Sequence, residues 1–227
     1  MRIEPKTGFL FRALAPGVLV AGLMTPGLSG QDPTALSLLE EAGARYGSVN
    51  GFCAHFQQLL MVPLLNDSTS SEGSLCQESP NLFAMRFSDP EGDLLVADGE
   101  FFWVFYPSSD PRQVFQFEIE ARPGGMDFHR EFLEAPAGKY EMEYLGEEAI
   151  SGQGTHVISL KPIQPSGFQK ATIWLDSRRA LILKAQIGME DGSVRTVTLS
   201  QIQLNPPSDP ERFSFVPPAG AQVIRRD

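Results

Sequence analysis

Three histidines, two cysteines and a set of glutamates are the residues of this 227-residue sequence whose types could support catalysis or metal binding. A metal site needs histidine, cysteine or carboxylate ligands at close, characteristic spacings. His55, His129 and His156 are scattered along the chain, and the cysteines form no C-x-x-C pair. The sequence also lacks the signatures of a serine-hydrolase elbow, a phosphate-binding loop and a dinucleotide-binding turn. These observations predict a protein without a metal, a cofactor or a catalytic site.

The glutamates leave one enzymatic alternative open. They are concentrated in two stretches, which contain Glu118, Glu120, Glu141, Glu143, Glu147 and Glu148. Carboxylate runs of this kind are typical of solvated faces. The acid and base of a glycosidase meet only in space, however, so such a pair is compatible with the sequence. An enzyme that turns over a lipid or sugar ester is therefore kept as a further class of function.

The first thirty residues predict a secretory signal peptide. Basic residues Arg2, Lys6 and Arg12 come before an apolar run over 13–24. This 12-residue run is too short to cross a membrane as a helix, because a span needs ~20 apolar residues. An uncleaved membrane anchor is the alternative. With a signal peptide at 1–30, residues 31–227 are predicted to form one exported domain.

Export permits disulfide bonds. Cys53 and Cys76 lie in two adjacent strand-like segments that are joined by a turn-rich stretch. They could therefore face each other across a hairpin, and closing this loop would stabilise the fold by roughly 3 kcal/mol. A pair of separate buried thiols is the alternative.

Charge and composition narrow the class of partner. The chain has 18 Lys and Arg residues against 28 Asp and Glu residues, a net charge of −10. Nucleic-acid binding needs clustered basic residues, so this acidic balance argues against it. The aromatic residues are 16 Phe but only 4 Tyr and 2 Trp. Because Phe has no polar group, the protein has a large aromatic surface that requires apolar neighbours.

The spacing of apolar residues predicts one helix followed by a long series of strands. Asp32 and Pro33 suit the N-cap and first position of a helix over 33–46, and Gly47 suits its end. The apolar period then changes from a helical one to two residues. About eleven strands are predicted, at 52–62, 73–78, 81–88, 93–98, 101–106, 112–119, 139–145, 155–161, 169–176, 180–189 and 194–203. Because nearly all follow in hairpin order, they predict a mainly β (α+β) fold with a strongly curved antiparallel sheet.

One segment interrupts the series of strands. Residues 125–134 place Phe128, Phe132 and Leu133 on one side of a short amphipathic helix. Next to a curved sheet, a helix of this kind would form a lid or a plug.

Both faces of the middle strands are apolar. In 101–106 the odd positions are Phe101, Trp103 and Phe105, and the even positions are equally apolar. A sheet that is apolar on both sides must be covered on both. Two outcomes remain open at this point: a filled core, or an interior that holds an apolar ligand.

Four segments resemble the LolA-type periplasmic carriers, which ferry lipoproteins to the outer membrane of Gram-negative bacteria. They are 46–58 (YGSVNGFCAHFQQ), 80–90 (PNLFAMRFSDP), 95–107 (LVADGEFFWVFYP) and 213–220 (FSFVPPAG). Each segment alone is ordinary, but their order and spacing agree with the family over 31–224. The middle of the chain, from 110 to 160, is less similar.

The resemblance implies an eleven-stranded, unclosed barrel with lid helices over an apolar cavity. The cargo would be the acyl chains of lipoproteins, carried through the periplasm by a monomer without catalysis. An inner-membrane ABC-type complex would load the carrier, and an outer-membrane acceptor lipoprotein would unload it. The alternatives are a LolA-like carrier of another lipid, and a periplasmic sensor that binds acylated or misfolded envelope proteins.

The candidate site residues follow from this interpretation. The candidate lipid-binding lining comprises Phe52, Phe56, Leu60, Phe83, Met85, Phe87, Leu95, Trp103, Phe115, Phe117 and Ile173. The candidate lid comprises Leu36, Leu39, Phe128, Phe132 and Leu133. A shift of one residue in strand register would invert the lining set, because alternate residues point to opposite faces.

The sequence departs from the family pattern at Ala84. The resemblance places there an arginine that commonly hydrogen-bonds the lid. Arg86 lies two residues further on and shares the same strand face. We therefore expect Arg86 to act as the latch, with an ordinary surface arginine as the alternative.

Overall fold

The computed structural model describes residues 33–119 and 129–226. The predicted signal peptide at 1–30 lies outside these residues, and so does Phe128 of the predicted lid. Helix α1 spans Pro33–Gly47, in agreement with the helix predicted from the apolar spacing, and helix α2 spans Pro136–Lys139.

Twelve strands account for most of the described residues. They are β1 (Gly51–Val62), β2 (Asp67–Glu78), β3 (Leu82–Asp89), β4 (Glu91–Asp98), β5 (Phe101–Phe105), β6 (Gln113–Glu118), β7 (Tyr140–Ile150), β8 (Gln153–Pro162), β9 (Lys170–Asp176), β10 (Ile182–Gly188), β11 (Val194–Leu204) and β12 (Gln222–Arg226). All belong to one sheet, in the order β12-β6-β5-β4-β3-β2-β1-β11-β10-β9-β8-β7.

The sheet is curved and its two edge strands, β12 and β7, are not paired with each other. Neighbouring strands are antiparallel, except that β12 runs parallel to β6. The predicted mainly β, unclosed, antiparallel architecture is confirmed. The predicted number of eleven strands is wrong, since the described residues contain twelve.

The structure differs from the predicted strands at β12 and at the start of β2, and both differences are explained by strand pairing. β12 is absent from the predicted set because Gln222–Arg226 is short and mostly polar, and its partner β6 is distant in sequence. β2 begins at Asp67, although the polar stretch up to Gly73 predicts a turn. Residues 67–72 pair with 62–57 of β1, and this ladder overrides the weak strand preference of Ser and Asp.

The helix predicted over 125–134 lies only partly within the described residues. There, His129–Leu133 forms a single π-helical turn, which we call the π-turn. Helix α2 begins separately at Pro136. The predicted segment is thus shorter and less regular than an amphipathic helix where the structure describes it.

The sheet buries apolar side chains on both of its faces. We call the face that carries Phe56 and Phe102 the inner face, and the face that carries Val96 and Val114 the outer face. Helix α1 and the π-turn cover the inner face. The C-terminal segment 205–221 covers part of the outer face. The two-sided apolar pattern of the sequence therefore reflects two separate clusters, one on each side of the sheet.

A disulfide bond crosses the first hairpin. Cys53 of β1 and Cys76 of β2 occupy directly paired positions and are bonded to each other. Both side chains belong to the cluster on the outer face. The bond therefore ties together two central strands without occupying the inner face.

Candidate functional site: the inner face of the sheet and its cover

The floor of the inner face is a band of aromatic rings carried by alternate strands, β1, β3 and β5. Ring centroids are 5.0 Å apart for Phe56 and Phe87, and 6.0 Å apart for Phe87 and Tyr106. The Phe102 ring lies 6.3 Å from that of Phe83. Tilted and edge-to-face contacts at these distances are favourable. The band therefore offers an apolar ligand extensive contact and few hydrogen bonds.

Most of the predicted lining residues lie on this face. Those buried in its main cluster are Phe52, Phe56, Phe83, Met85, Phe87, Leu95 and Ile173. Phe117 is half-buried and packs against the same cluster. Leu60 and Phe115 are also half-buried, and their strand registers direct them to the inner side.

Trp103 is placed differently, and this corrects its assignment to the lining. Its ring lies 5.8 Å from that of Phe215 on the outer face, and its indole nitrogen donates a hydrogen bond to Asp98 at 2.7 Å. The reason is alternation along β5: because Phe102 points inward, Trp103 must point outward. The Asp98 carboxylate also accepts the hydrogen bond of the indole N–H, and an apolar interior would offer no such acceptor.

Helix α1 covers the inner face with one side. Ala35, Leu39, Ala42 and Tyr46 are buried and recur at the spacing of a helix face. Leu36 is half-buried and packs against the same cluster. The structure thus brings the predicted lid residues of this helix onto the inner face.

The end of α1 is fixed by Tyr46. Its ring makes an edge contact with Phe52 at 5.2 Å, and its hydroxyl oxygen accepts a hydrogen bond from the Ile182 N–H at 3.3 Å. Burial raises the pKa of Tyr46 well above its ordinary value. The hydroxyl group therefore stays neutral in the apolar interior and connects α1 to β10.

The π-turn forms the second part of the cover. Phe132 and Leu133, both predicted lid residues, are buried in the main cluster. The Phe132 ring lies 5.8 Å from that of Phe168. The Tyr140 hydroxyl lies 2.7 Å from a carboxylate oxygen of Glu131 and 2.8 Å from its carbonyl oxygen. Burial, together with the hydrogen bond to Glu131, raises the pKa of Tyr140.

Within the described residues, Arg86 bonds to the C-terminal segment and not to the cover, which corrects the prediction that it is the latch. Its guanidinium donates hydrogen bonds to the carbonyl oxygens of Arg212, at 3.1 and 3.2 Å, and Ser214, at 2.7 Å. Both carbonyls belong to the C-terminal segment on the outer face. Since Met85 and Phe87 point inward, the residue between them must point outward. Arg86 therefore holds the C-terminal segment rather than the lid.

Sequence reasoning missed a cation on the inner face. Arg195 of β11 shares the face of Val197 and pairs with Leu60 of β1 and Ile187 of β10. Burial lowers the pKa of Arg195, and the nearby Tyr106 acts in the opposite direction. The signal is present in the sequence, because Arg195 stands two residues before an inward-facing valine. The inner face thus carries a cationic position near the end of β1.

The described part of the inner face is closely packed beneath the cover. Phe56, Phe132 and Ile173 are fully buried. An open groove of about 700 Å³ lies elsewhere and is lined largely by polar residues, among them Thr198 and Lys184. An apolar ligand could therefore reach the inner face only if the cover moves.

His55 and His156 do not form a common site. His55 lies 3.8 Å from a carboxylate oxygen of Glu72, whereas His156 contacts the Tyr144 hydroxyl at 3.1 Å. Within residues 33–119 and 129–226, no group of three or more His, Cys, Asp and Glu residues is arranged to hold a metal ion. None of the helices in these two ranges has the length and apolar character needed to cross a membrane.

Solved structures show the same fold. An uncharacterized conserved protein from Thermus thermophilus superposes with a TM-score of 0.56. The alignment covers 85% of this chain and 99% of that protein. At 13% sequence identity this similarity concerns the fold alone.

Sequence comparison identifies the family. An outer-membrane lipoprotein carrier protein of Methylobacillus flagellatus is 26% identical over 214 residues, which are 94% of this chain and 98% of the relative. A protein of the same name from Nitrosomonas europaea is 26% identical over 77% of this chain and 82% of its own length. The profile of the family "Outer membrane lipoprotein carrier protein LolA" matches residues 47–216. Because this match covers most of the sequence, the chain belongs to the LolA family.

Proposed function

We propose that this protein is a periplasmic carrier that binds the acyl chains of lipoproteins between the inner face and the cover formed by α1 and the π-turn. It is exported by a signal peptide at 1–30 and works as one monomeric domain over 31–227. It receives lipoproteins from an inner-membrane ABC-type complex and delivers them to an outer-membrane acceptor lipoprotein. The names of the relatives from Methylobacillus and Nitrosomonas support this class of cargo.

One observation carries the proposal: an apolar band lies beneath a cover that is formed by two distinct elements, α1 and the π-turn. The band includes Phe56, Phe83 and Phe102. The cover contributes Leu39 and Phe132 to the same cluster. Since the cover meets the band mainly through apolar side chains, acyl chains can make equivalent contacts in its place.

The close packing beneath the cover has a thermodynamic consequence for release. Transfer of each CH₂ group from water to an apolar site is worth about 0.8 kcal/mol, so long acyl chains in an empty cavity would be held too tightly for delivery. Here the side chains of Leu39 and Phe132 already occupy the inner face and must be displaced. Their displacement offsets part of the binding free energy and makes loading reversible.

Site-specific photo-crosslinking tests the location of the cargo. Phe117, half-buried on the inner face, and Trp103, half-buried on the outer face, are each replaced by a photoreactive benzoylphenylalanine. The proteins are mixed with a diacylated lipopeptide and irradiated. We expect crosslinking at 117 and not at 103, because only the first position borders the apolar band.

Equal crosslinking at both positions, or none at 117 in a folded protein, would overturn the proposal. Native mass spectrometry of the protein purified from periplasm provides an independent measurement. A co-purifying lipoprotein supports the carrier function, and a different bound lipid identifies another cargo. A ligand-free monomer whose interior excludes apolar dyes contradicts it.

A further inference from the structure

The turn between β1 and β2 exposes large apolar side chains. Leu64 and Leu65 are 83% and 74% exposed, and Met61 beside them is 47% exposed. Single exposed apolar residues are common on proteins and need no explanation. Here they stand next to one another at the end of a hairpin, and we call residues 61–65 the hairpin tip.

The hairpin tip projects beyond neighbouring strands. The ladder between β2 and β3 ends at Glu72, so residues 67–71 of β2 pair with β1 alone. On the other side, the last pair between β1 and β11 joins Met61 to Val194. Leu64 and Leu65 therefore lie outside the paired part of the sheet, where they contribute little to the folded core.

The backbone of the tip is suited to contact with an apolar phase. Pro63–Leu65 forms a 3₁₀ turn, and the Asn66 N–H donates to the Pro63 carbonyl oxygen at 3.1 Å. Pro63 has no N–H group of its own. Unsatisfied backbone groups are costly in hydrocarbon, so this closed turn reduces the cost of placing the two leucines there.

We propose that the hairpin tip is a wedge that inserts Leu64 and Leu65 transiently into the surface of a lipid bilayer. A stable protein–protein interface requires about 800 Å² from each partner, which two leucine side chains cannot supply. A bilayer requires no complementary surface and accepts a small apolar wedge. The expected result is weak, reversible contact.

The charges around the tip define the kind of bilayer surface. From Gln57 to Ser71 the single ionisable residue is Asp67, and the whole chain carries a net charge of −10. The nearby Arg195 of β11 is half-buried on the inner face rather than on the tip. Binding to anionic lipids relies on basic residues, which this hairpin lacks. The wedge must therefore work on a zwitterionic surface, independently of salt, and anionic lipid should weaken it.

The position of the wedge connects it to the cargo site. Leu60, the residue before the tip, faces inward and pairs with Arg195 at the end of the inner face. A bilayer touched by the tip would thus lie next to the end of the proposed acyl-chain site. This use of the wedge rests on the proposed carrier function, whereas its insertion into lipid can be measured separately.

An environment-sensitive fluorophore tests insertion. Leu65→Cys is labelled with nitrobenzoxadiazole; the two native cysteines are bonded to each other and do not react. Ser177→Cys, in the exposed turn between β9 and β10, is the matched control. We expect phosphatidylcholine vesicles to shift the emission to the blue at 65 and to leave 177 unchanged. Adding Leu64→Ser should weaken partitioning about tenfold, because Leu64 is the leucine anchor that remains in the labelled protein.

Three outcomes would overturn the inference: no shift at 65, the same shift at 177, or a shift that appears only with anionic vesicles. A shift that requires a membrane protein in the vesicles would assign the tip to a protein partner instead. The lipopeptide crosslink at 117 is measured on the same preparations. If the tip does not insert but the lipopeptide still crosslinks at 117, the wedge alone is rejected. If the tip inserts but no crosslink forms at 117, the carrier function is rejected.

Discussion

Gly43 of α1 approaches Leu133 of the π-turn so closely that a methyl group at position 43 would lie 3.0 Å from the Leu133 carbonyl oxygen. The two pieces of the cover therefore meet at backbone distance. A β-carbon here would be closer to the turn than ordinary van der Waals contact, so the turn would have to shift by a few tenths of an ångström to accept a side chain. We therefore expect the movement of one piece of the cover to be coupled to that of the other.

Gly43→Val should loosen the cover. The added side chain forces α1 and the π-turn apart, so we expect faster exchange of a bound lipopeptide and a brighter signal from an apolar dye. We expect the free energy of unfolding to fall by about 1–3 kcal/mol, as for overpacking in a core. Stopped-flow lipopeptide exchange and chemical denaturation measure the two effects.

Ala44→Val is the control, because Ala44 is exposed on the same helix and the substitution introduces the same β-branched side chain. It should lower helix stability slightly and leave exchange unchanged. If both variants exchanged cargo at the same rate, the contact between Gly43 and Leu133 would have no role in closing the cover.

Arg86→Leu should release the C-terminal segment from the outer face. The carbonyl oxygens of Arg212 and Ser214 lose a charged donor, and hydrogen bonds to charged groups contribute about 1.5–3 kcal/mol. We expect limited proteolysis to cut 205–226 more rapidly, while lipopeptide exchange stays at the wild-type rate. Arg178→Leu, at an exposed arginine, is the control. Faster exchange in Arg86→Leu would contradict this expectation and restore Arg86 as the latch of the cover.

Reduction of the bond between Cys53 and Cys76 should destabilise the protein without changing its architecture. The cysteines are separated by 23 positions, and a loop of this size corresponds to about 3 kcal/mol in the chain-entropy account. We expect the midpoint of urea unfolding to fall when a reductant is added. The double variant Cys53→Ala/Cys76→Ala should show the same lower midpoint with and without reductant. An unchanged midpoint for the reduced wild-type protein would contradict the expectation.

Stability should decline at alkaline pH because of Tyr46 and Tyr140. Burial raises the pKa of both above the unfolded-state value of about 10. Below that pH both hydroxyls are neutral in either state, and their contribution is fully present. Above it the unfolded chain loses protons that the folded chain keeps, so the unfolding free energy falls by up to about 1.4 kcal/mol per pH unit for each tyrosine.

The Tyr46→Phe variant isolates one of these groups. Its unfolding free energy is measured by denaturation across the alkaline range above the unfolded-state pKa. The slope against pH should be less steep than that of the wild type, because one proton fewer is released on unfolding. An identical slope in the two proteins would show that Tyr46 ionises as easily in the folded state as in the unfolded one.

Particular elements show what could be predicted from the sequence. The helical spacing of Leu39, Ala42 and Tyr46 places α1, and the two-residue alternation places most strands. β12 and the first half of β2 were not predicted, because their residues have a weak strand preference. They form strands because they pair with β6 and β1, respectively. The same limit applies to the site. The sequence shows that Trp103 is an aromatic residue on a strand, but the face of the sheet on which it lies depends on the register of that strand.

The sequence by itself determined the class of protein: an acidic chain, rich in Phe, with one helix, a two-sided apolar sheet and the four segments of the LolA family. Only the tertiary structure decided which apolar residues share a face. It placed Phe102 on the inner face and Trp103 on the outer face. It also showed that Arg86 forms hydrogen bonds with the C-terminal segment rather than with the lid. The physical reason is that local periodicity states which residues alternate, whereas long-range pairing and the packing of α1 and the C-terminal segment decide which side becomes the interior.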